Sequence, residues 1–587
     1  MLKNVITAVL VVASSALLNA QNKVTFTGAG RFVLENNQIG GNLIDDTIIS
    51  GDTMAADTTN ARRSMSGFAL FDLGFDIRPN ASTEIKAVTR VTNDLDGFWG
   101  AGIGFSVREL YAKGLIRGKV RYHIGDMNVK MTPYTLYNSN SDLGQRRPEM
   151  YRVFNDIIEY EHFYLDNQWR QQGLRTDFSL LMPEVIDEIA VEALVTKNRH
   201  TDYFFTPDRL LLGSRVKFIK EELGFVRYNQ TRFFELPQTA QFSNGESSFG
   251  VHTVDWNIKP LTGSDYFFIG EMGLSNTRYE NVTDAPADTM NYFMDLRVAA
   301  HFMPINIKAQ LGFRSIESGF RSPGAQSRRT DYNGAASTFT YYTNQEQLRP
   351  VSLADIYRDV NIYSPFLSMQ LQDYQVAYSN VLPYGEATPN RRGWTVNLES
   401  ENDSASVPFW ELEAQVLTEN TGMGINAYRK FLLVDGFAQF ALNKIWNGEK
   451  ATLFELHGRF ENTTRDGLSG LGEKLDGIGA IDLTSWLVQA GIDAEISNDL
   501  HFLASIMQLN ASGNEFLAQR NGFNGVQDYA AVDVDLTEQI LGAGLQYKFT
   551  ETIQLTVQFQ RSTWENQNEI SNSYNWNQLS VIYNMFF

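Results

Sequence analysis

The final stretch of the chain, residues 574–587, constrains the fold most, because its apolar side chains recur at every second position. A two-residue period places such side chains on one face of an extended strand. The pattern therefore predicts a closing β-strand with one apolar face that runs into the carboxyl terminus. The residues that carry it are Leu579, Val581, Tyr583, Met585 and Phe587.

The amino terminus has the layout of a secretory signal peptide. Lys3 precedes an apolar run over residues 5–18, and Asn19-Ala20-Gln21 follows it. We predict a signal peptide over residues 1–20 that is cleaved after Ala20. A membrane anchor is the alternative, although the run is shorter than the ~20 residues that a spanning helix needs. Because no later segment approaches that length, a mature chain that sits in a membrane must do so as a closed barrel, which satisfies every backbone hydrogen bond in lipid.

Composition excludes several kinds of function. The chain has no cysteine, which excludes disulfides, thiolate catalysis and lipidation of an amino-terminal cysteine. Its formal net charge of −19 argues against a nucleic-acid partner, because such a partner needs a basic surface. The seven histidines are scattered and form no His-Glu-x-x-His pair. We therefore expect neither an enzyme active site nor a cofactor nor a metal site.

The interior of the chain repeats one theme: an alternating strand, a tight polar turn, a second alternating strand and a longer polar loop. Residues 306–314, 410–416 and 553–560 each have one apolar and one polar face, as a barrel wall between lipid and water requires. Short turns on the periplasmic side and longer loops outside are typical of outer-membrane barrels. Strand counting predicts one all-β domain over residues 21–587, a transmembrane antiparallel barrel of about 22 strands, with about 18–20 or 24 as alternatives.

Three connections are long, at residues 36–64, 132–171 and 319–390. Loops beyond ~15 residues usually carry function or disorder, and the last two are rich in apolar side chains. We expect at least one of these two to fold inward across the lumen as a constriction, and an external cap is the alternative. Further connections are predicted at residues 237–247, 281–289, 467–480 and 512–531.

Charged side chains are expected on the lumen face, because one that points at lipid near the midplane costs about 2–4 kcal/mol. A basic stretch from Arg297 to Arg314 precedes an acidic stretch from Glu399 to Glu413. Opposed charges across a water-filled pore would orient polar solutes and set ion preference. Solvated or mutually paired wall residues without selectivity are the alternative. By alternation we predict as lumen-lining Asp295, Arg297, His301, Lys308, Arg314, Glu399, Glu411, Glu413, Glu455, His457, Arg459 and Glu461.

Tryptophans near predicted strand ends give a weaker indication of a membrane barrel. Outer-membrane barrels carry girdles of aromatic residues at the level of the lipid headgroups. The tryptophans so placed are Trp99, Trp256, Trp446, Trp486, Trp564 and Trp576.

The export signal, the strand-and-turn rhythm and the closing strand together resemble Gram-negative outer-membrane β-barrel proteins, over nearly the whole chain. Large barrels of this size resemble the energised nutrient receptors, which carry a plug domain before the first strand. Here alternation begins at Val24, soon after Ala20, which leaves no room for such a plug and argues against energy-coupled import. The resemblance also implies that barrel-assembly machinery is a transient partner and recognises a carboxyl-terminal signal made of Leu579, Tyr583, Met585 and Phe587.

Two functions fit this reading. The leading one is an integral outer-membrane, porin-like channel for small polar solutes. The alternative is a non-conducting barrel that acts as a scaffold or accessory subunit of a larger outer-membrane assembly and holds envelope protein partners with its loops. Both place the mature chain in outer-membrane lipid. An exported soluble all-β protein is a third class, which the uniform apolar face of the strands disfavours.

Overall fold

Alternating segments rich in β-branched and aromatic residues form strands throughout this chain, because such side chains pack well on a pleated surface. The signal peptide predicted over residues 1–20 lies outside the described residues. The computed structural model describes residues 23–50, 53–59, 62–95, 102–139, 146–162, 167–182, 185–243, 245–260, 265–302, 306–326, 350–359, 367–400, 409–424, 426–445, 447–467, 479–568 and 572–587.

The strands are numbered in chain order. The first group is β1 (Lys23–Ser50), β2 (Thr53–Thr59), β3 (Arg62–Asn80), β4 (Thr83–Asp94), β5 (Ile103–Ile116), β6 (Val120–Val129), β7 (Trp169–Met182) and β8 (Ile186–Arg199). The second group is β9 (Asp208–Lys220), β10 (Gly224–Leu236), β11 (Glu246–Ile258), β12 (Tyr266–Glu280), β13 (Thr289–Phe302), β14 (Ile307–Ile316), β15 (Arg391–Ser400) and β16 (Phe409–Thr418). The last group is β17 (Lys430–Ala441), β18 (Thr452–Arg465), β19 (Ile481–Ser497), β20 (Leu500–Arg520), β21 (Val526–Thr550), β22 (Ile553–Asn566) and β23 (Asn572–Phe586).

The sheet closes on itself. From β3 to β23 each strand pairs antiparallel with the next, and β1 pairs with both β3 and β23, for example through Phe32, which lies opposite Ala69 on one side and Tyr583 on the other. The wall is therefore a closed antiparallel barrel of 22 strands, formed by β1 and β3–β23. This result confirms the predicted fold class and strand number.

The described residues of the connection predicted at 36–64 form strands rather than a loop. β1 continues to Ser50 and pairs there with β2, with Leu43 opposite Thr59 and Ser50 opposite Thr53. The region predicted as a connection at 512–531 is also mostly strand, because β20 and β21 run on as a paired hairpin with a turn at residues 521–525. In both places, backbone pairing continues past the point where the apolar alternation ends.

The two faces of the wall are opposite in chemistry. On the outer face Val298, Leu311 and Val396 lie side by side on β13, β14 and β15, and Leu311 is 51% exposed. On the inner face charged side chains such as Asp72 and Arg314 are almost fully buried. A water-soluble protein shows the reverse arrangement.

The tip of the β6–β7 hairpin leaves the wall and bends into the barrel. Gly125 and Gly173 lie opposite each other on these strands, and at this level β6 stops pairing with β5 and β7 stops pairing with β8. Gly125 has a φ of 106°, and a Cβ on Gly173 would lie 2.1 Å from the carbonyl oxygen of Val195. Only glycine fits such positions. The unpaired edge of β5 is held instead by two side chains, since Asp126 accepts the amide of Leu110 (2.8 Å) and Arg170 donates to the carbonyl of Arg108 (2.5 Å).

Two long connections fold into the lumen over the residues that the structure describes. We call residues 130–168, between β6 and β7, the first inward segment. We call residues 317–390, between β14 and β15, the second inward segment. The first contains helix α1 (Arg152–His162) and the second contains helix α2 (Leu353–Arg358). A short helix α3 (Leu442–Ile445) follows β17. No helix in the described part of the chain is long and apolar enough to cross a membrane.

Both helices have sequence-level causes. Val153, Phe154, Ile157 and Ile158 recur at helical spacing on α1, and all four are buried. Ser352 and Asp355 form a capping box that starts α2. The apolar sides of α1 and α2 join one buried cluster with inner-wall residues such as Leu487 and Ile540, so the main core of this protein lies inside the barrel.

Candidate functional site

The candidate site is the lumen, where the inner wall meets the two inward segments. The first inward segment begins on the wall strands β12 and β13. There Thr132 donates a hydrogen bond to Glu271 (2.6 Å), and Tyr134 donates one to Asp295 (2.7 Å). These buried contacts hold the start of the segment against one side of the barrel.

The end of α1 is fixed to a different part of the wall. The carboxylate of Glu161 lies 2.6 Å from Arg31 of β1 and also contacts Arg90 of β4. Tyr160 donates to Asp72 of β3 (2.6 Å), and the guanidinium of Arg108 lies over the Tyr160 ring at 3.9 Å. Charge-assisted hydrogen bonds of this kind are the stronger class in proteins.

Helix α2 is tied to wall strands on either side of the barrel closure. The amide of Leu353 donates to Glu538 of β21 (2.8 Å), and Tyr357 donates to Gln489 of β19 (2.8 Å). Arg358 forms a buried ion pair with Glu35 of β1. All of these residues are buried.

The last part of the second inward segment lies against β18 and β20. Asn380 donates through its side-chain amide to Thr463 (2.9 Å) and Glu515 (2.7 Å), and through its backbone amide to Glu461 (2.8 Å). Nearby, Ser485 of β19 donates to the carbonyl of Ala377 (2.8 Å). Polar residues of the wall therefore hold this part of the second inward segment in place through hydrogen bonds.

The two inward segments also bind each other. The rings of Tyr151 and Tyr357 lie 5.8 Å apart, and Ser322 donates to the carbonyl of Tyr134 (2.8 Å). Because the segments touch each other and also reach wall strands around the barrel, they cross the lumen. The expectation that at least one long connection folds inward therefore describes both of them.

The predicted lumen residues lie on one arc of the wall, from β13 to β18. Asp295 lies 2.6 Å from Arg297, and Arg314 and Arg297 both contact Glu386 of the second inward segment. In one row across four strands, His301 lies opposite Lys308, Lys308 opposite Glu399, and Glu399 opposite Glu411. Glu411 forms an ion pair with Arg146 of the first inward segment.

The rest of the predicted set lies on β16 and β18, on either side of β17. Glu413 lies opposite Asp435, and Asp435 lies 3.1 Å from His457 and 3.6 Å from Arg459. Arg459 donates in turn to Glu461 (3.0 Å). Glu455 accepts the amide of Glu149 (3.0 Å), which joins this arc to the first inward segment as well.

The prediction of opposed charges across the pore is wrong. The basic strands β13 and β14 adjoin the acidic strands β15 and β16, so that Lys308 and Glu399 are neighbours in one ladder rather than residues on facing walls. The alternative of mutually paired wall residues describes the arrangement. The reason is that an antiparallel barrel places consecutive strands side by side, and sequence proximity therefore becomes proximity along the circumference.

Sequence reasoning missed the polar residues of the other half of the wall, such as Glu35, Asp72, Gln489 and Glu538. Their signal was weak, because each stands two positions from a buried apolar residue on the same face of its strand. These apolar residues are Val33, Leu70, Leu487 and Ile540, respectively.

The predicted carboxyl-terminal signal residues lie on the outer face of β23 and at its end. Leu579 and Phe587 are exposed. The Phe587 ring stacks on Phe71 of β3 at 5.9 Å, and its backbone exchanges two hydrogen bonds with Gly28 of β1. The terminal residue thus covers the point where the barrel closes. Recognition of this stretch by assembly machinery remains a prediction.

Comparison with solved structures returns outer-membrane proteins, among them a porin and a channel, over nearly the whole of this chain. An outer-membrane protein opdK from Pseudomonas aeruginosa is 9% identical with a TM-score of 0.29, covering 95% of this chain and 99% of that one. A BenF-like porin from Pseudomonas fluorescens Pf-5 is 8% identical with a TM-score of 0.33, with coverage of 95% and 99%. The outer-membrane channel DcaP of Acinetobacter baumannii is 9% identical with a TM-score of 0.27, with coverage of 97% and 98%.

No protein-family model matches this chain, and no curated protein matches it. The barrel assignment rests on the strand pairing of this chain itself, because the superpositions on the solved structures are loose.

Proposed function

We propose that this protein is an outer-membrane channel for small polar solutes whose lumen is narrowed by its two inward segments. The observation that carries the proposal is the inversion of ordinary burial: charged and amide side chains line the inside of a closed barrel, and large apolar side chains cover the outside. A wall of this kind is stable in lipid, where every backbone group must be paired within the protein.

The outer face supports membrane insertion. Leu311, Leu412 and Val557 lie on separate strands, and their side chains are 51%, 38% and 38% exposed. Apolar area left in water carries a cost of about 25 cal/mol per Å², and an acyl-chain environment removes that cost. Insertion requires export across the inner membrane and assembly into the outer membrane, which the predicted signal peptide and closing strand would serve.

The lumen supports passage of polar solutes. Its wall offers hydrogen-bond donors and acceptors beside the apolar residues that pack against the inward segments, and a polar solute exchanges its water for such groups at little cost. The inward segments are held to the wall mainly by side-chain contacts rather than by a backbone ladder. Such contacts break and form individually, so segments held in this way can yield to a solute more readily than the wall can.

Conductance in planar lipid bilayers tests the proposal. We expect the purified full-length protein to give a small conductance to KCl, and a variant with residues 353–378 replaced by a short Gly-Ser linker to give a several-fold larger one. Heat-dependent mobility on an SDS gel verifies that the variant retains its barrel. Repeating the conductance measurement with a large organic anion in place of chloride measures the width of the conducting path.

Silent bilayers for both proteins, with the barrel intact, would refute the channel. The non-conducting scaffold would then be the better description, and stoichiometric co-purification with other envelope proteins would be its test.

A further inference from the structure

A cavity of about 790 Å³ opens at the loop end of the barrel. One side of it is formed by the connections that join β8 to β9, β10 to β11 and β12 to β13. The other side is formed by residues 368–370 of the second inward segment and by residues 522–523 at the tip of the β20–β21 hairpin. Its volume lies within the range of small-molecule sites, about 300–1,000 Å³.

Aromatic rings form flat faces in this cavity. Phe205 and Phe242 stack at 5.4 Å with an angle of 27° between their planes, although their side chains are 72% and 58% exposed. Across the cavity, Tyr279 packs edge-on against Phe523 at 5.1 Å. Exposed aromatic rings held in fixed positions at a cavity are characteristic of binding surfaces.

Hydrogen bonds within and between the loops that carry Phe205 and Phe242 hold these rings in position. Asp202 accepts the backbone amides of Phe204, Phe205 and Thr206, each at 2.8 Å. The amide of Phe242 donates to the carbonyl of Phe204 at 2.8 Å, which joins the β8–β9 loop to the β10–β11 loop. The aromatic pair is therefore positioned before any ligand arrives.

Charged groups at the base of the cavity hold one another in place. The carboxylate of Glu235 accepts hydrogen bonds from Arg199 (2.7 Å), Arg209 (2.9 Å) and Ser247 (2.6 Å). Both guanidinium groups are directed at the same carboxylate, so the cluster offers donors and acceptors in fixed positions and keeps the charge of one arginine uncompensated. Neutral hydroxyl and amide side chains, including Thr206, complete the lining.

The opposite side of the cavity links it to the inward chain. Gln370 donates to the carbonyl of Gly522 (2.9 Å), and Asn524 donates to the carbonyl of Met369 (3.0 Å). A ligand in the cavity would therefore touch the wall loops, the second inward segment and the hairpin tip at once.

We propose that this cavity binds a short oligosaccharide of two or three sugar units. A sugar ring has an apolar C–H face that stacks on an aromatic ring, and a rim of hydroxyl groups that each donate and accept hydrogen bonds. Flat aromatic faces beside a cluster of two arginines, a glutamate and a serine match both parts. An acyl chain would leave the polar cluster without partners, and a phosphate would compete with Glu235 for both guanidinium groups.

The proposal deepens the proposed channel function and rests on it only for the role of the cavity as an entrance. Sugar of this chemistry could arrive free in solution or as part of the lipopolysaccharide of the surrounding membrane. Binding and conductance are separate measurements, so a failure of one leaves the other interpretable.

Isothermal titration of the full-length protein in detergent tests the site. One arm uses maltotriose, cellotriose, chitotriose and xylotriose, and a second arm uses the lipid-free polysaccharide released from lipopolysaccharide. Saturable binding in the first arm alone identifies a free sugar, and binding in the second alone identifies a membrane-borne one. We expect Phe205→Ala and Phe242→Ala each to weaken binding about three- to tenfold, the range for loss of one aromatic contact.

Phe204→Ala is the matched control. Phe204 neighbours Phe205 in the same loop and is 56% exposed, but it does not line the cavity, so its truncation should leave the affinity unchanged. The proposal is overturned by absence of binding in both arms, or by binding that Phe204→Ala weakens as much as Phe205→Ala does.

Discussion

Replacement of Asn380 by alanine should release the end of the second inward segment. The substitution removes two side-chain hydrogen bonds to the wall, one to the hydroxyl of Thr463 and one to the carboxylate of Glu515, besides one that Tyr374 donates within the segment itself. A neutral buried hydrogen bond contributes about 1 kcal/mol and one to a charged group about 1.5–3 kcal/mol. Their sum is about 3 kcal/mol, which raises the population of the undocked segment by about 150-fold.

Hydrogen exchange of the intact barrel measures this population at the backbone amides of residues 376–382. Asn462→Ala is the control, because Asn462 bonds to Thr484 and does not contact the inward segment. We expect faster exchange in Asn380→Ala alone, accompanied by more frequent current transitions in bilayers. Equal protection in both variants and in the unaltered protein would refute the idea that these wall contacts hold the segment in place.

Three further substitutions test other parts of the structure. The backbone amides of Thr206 and its loop lower the pKa of Asp202 to about 2 from an ordinary 3.8. The order of the loop is therefore complete above pH ~3.8 and lost as the pH falls through about 2. The amide-proton resonances of the loop should titrate over this pH range, and Asp202→Asn should abolish the titration. A Cβ on Gly28 would lie 2.3 Å from the ring of Phe587, so Gly28→Val should impair closure and lower the yield of the heat-modifiable band, whereas Gly458→Ala, with no neighbour within 4 Å, should not. Leu311→Arg should lower the free energy of unfolding in lipid by about 2–4 kcal/mol relative to Leu311→Ala.

The architecture could be predicted from the sequence because the strands of a membrane barrel alternate apolar and polar side chains. Each wall strand meets lipid on one face and polar groups on the other, so apolar and polar residues take turns along it. That pattern gave the strand number. It did not give the length of β20 and β21, because residues beyond the lipid have no reason to alternate and yet continue to pair.

The positions of tryptophans show how a plausible rule can fail. Trp564 and Trp576 were predicted for an aromatic girdle, but both are buried inside the barrel, and Trp576 donates to Asn37 at 3.0 Å. The alternation along β23 already indicated an inward position, because Trp576 lies on the same face as Gln578 and Ser580 and not on the apolar face.

The path of the inward segments could not be read from periodicity. Contacts such as that between Tyr357 and Gln489 join residues far apart in sequence, and no repeat in the chain encodes them. Their apolar content indicated a folded element, but which wall residues receive it depends on the closed barrel, whose geometry exists only after all strands have paired.

The hairpin bend at Gly125 and Gly173 makes the resistance of the cylinder to rupture uneven around its circumference. Elsewhere two strands separate only after a long row of main-chain bonds has broken, whereas beside the outer part of β5 the contacts of Asp126 and Arg170 take the place of that row. Two isolated side-chain contacts resist separation less than a continuous ladder of amide hydrogen bonds does. Mechanical or chemical stress should therefore tear the molecule first along this line.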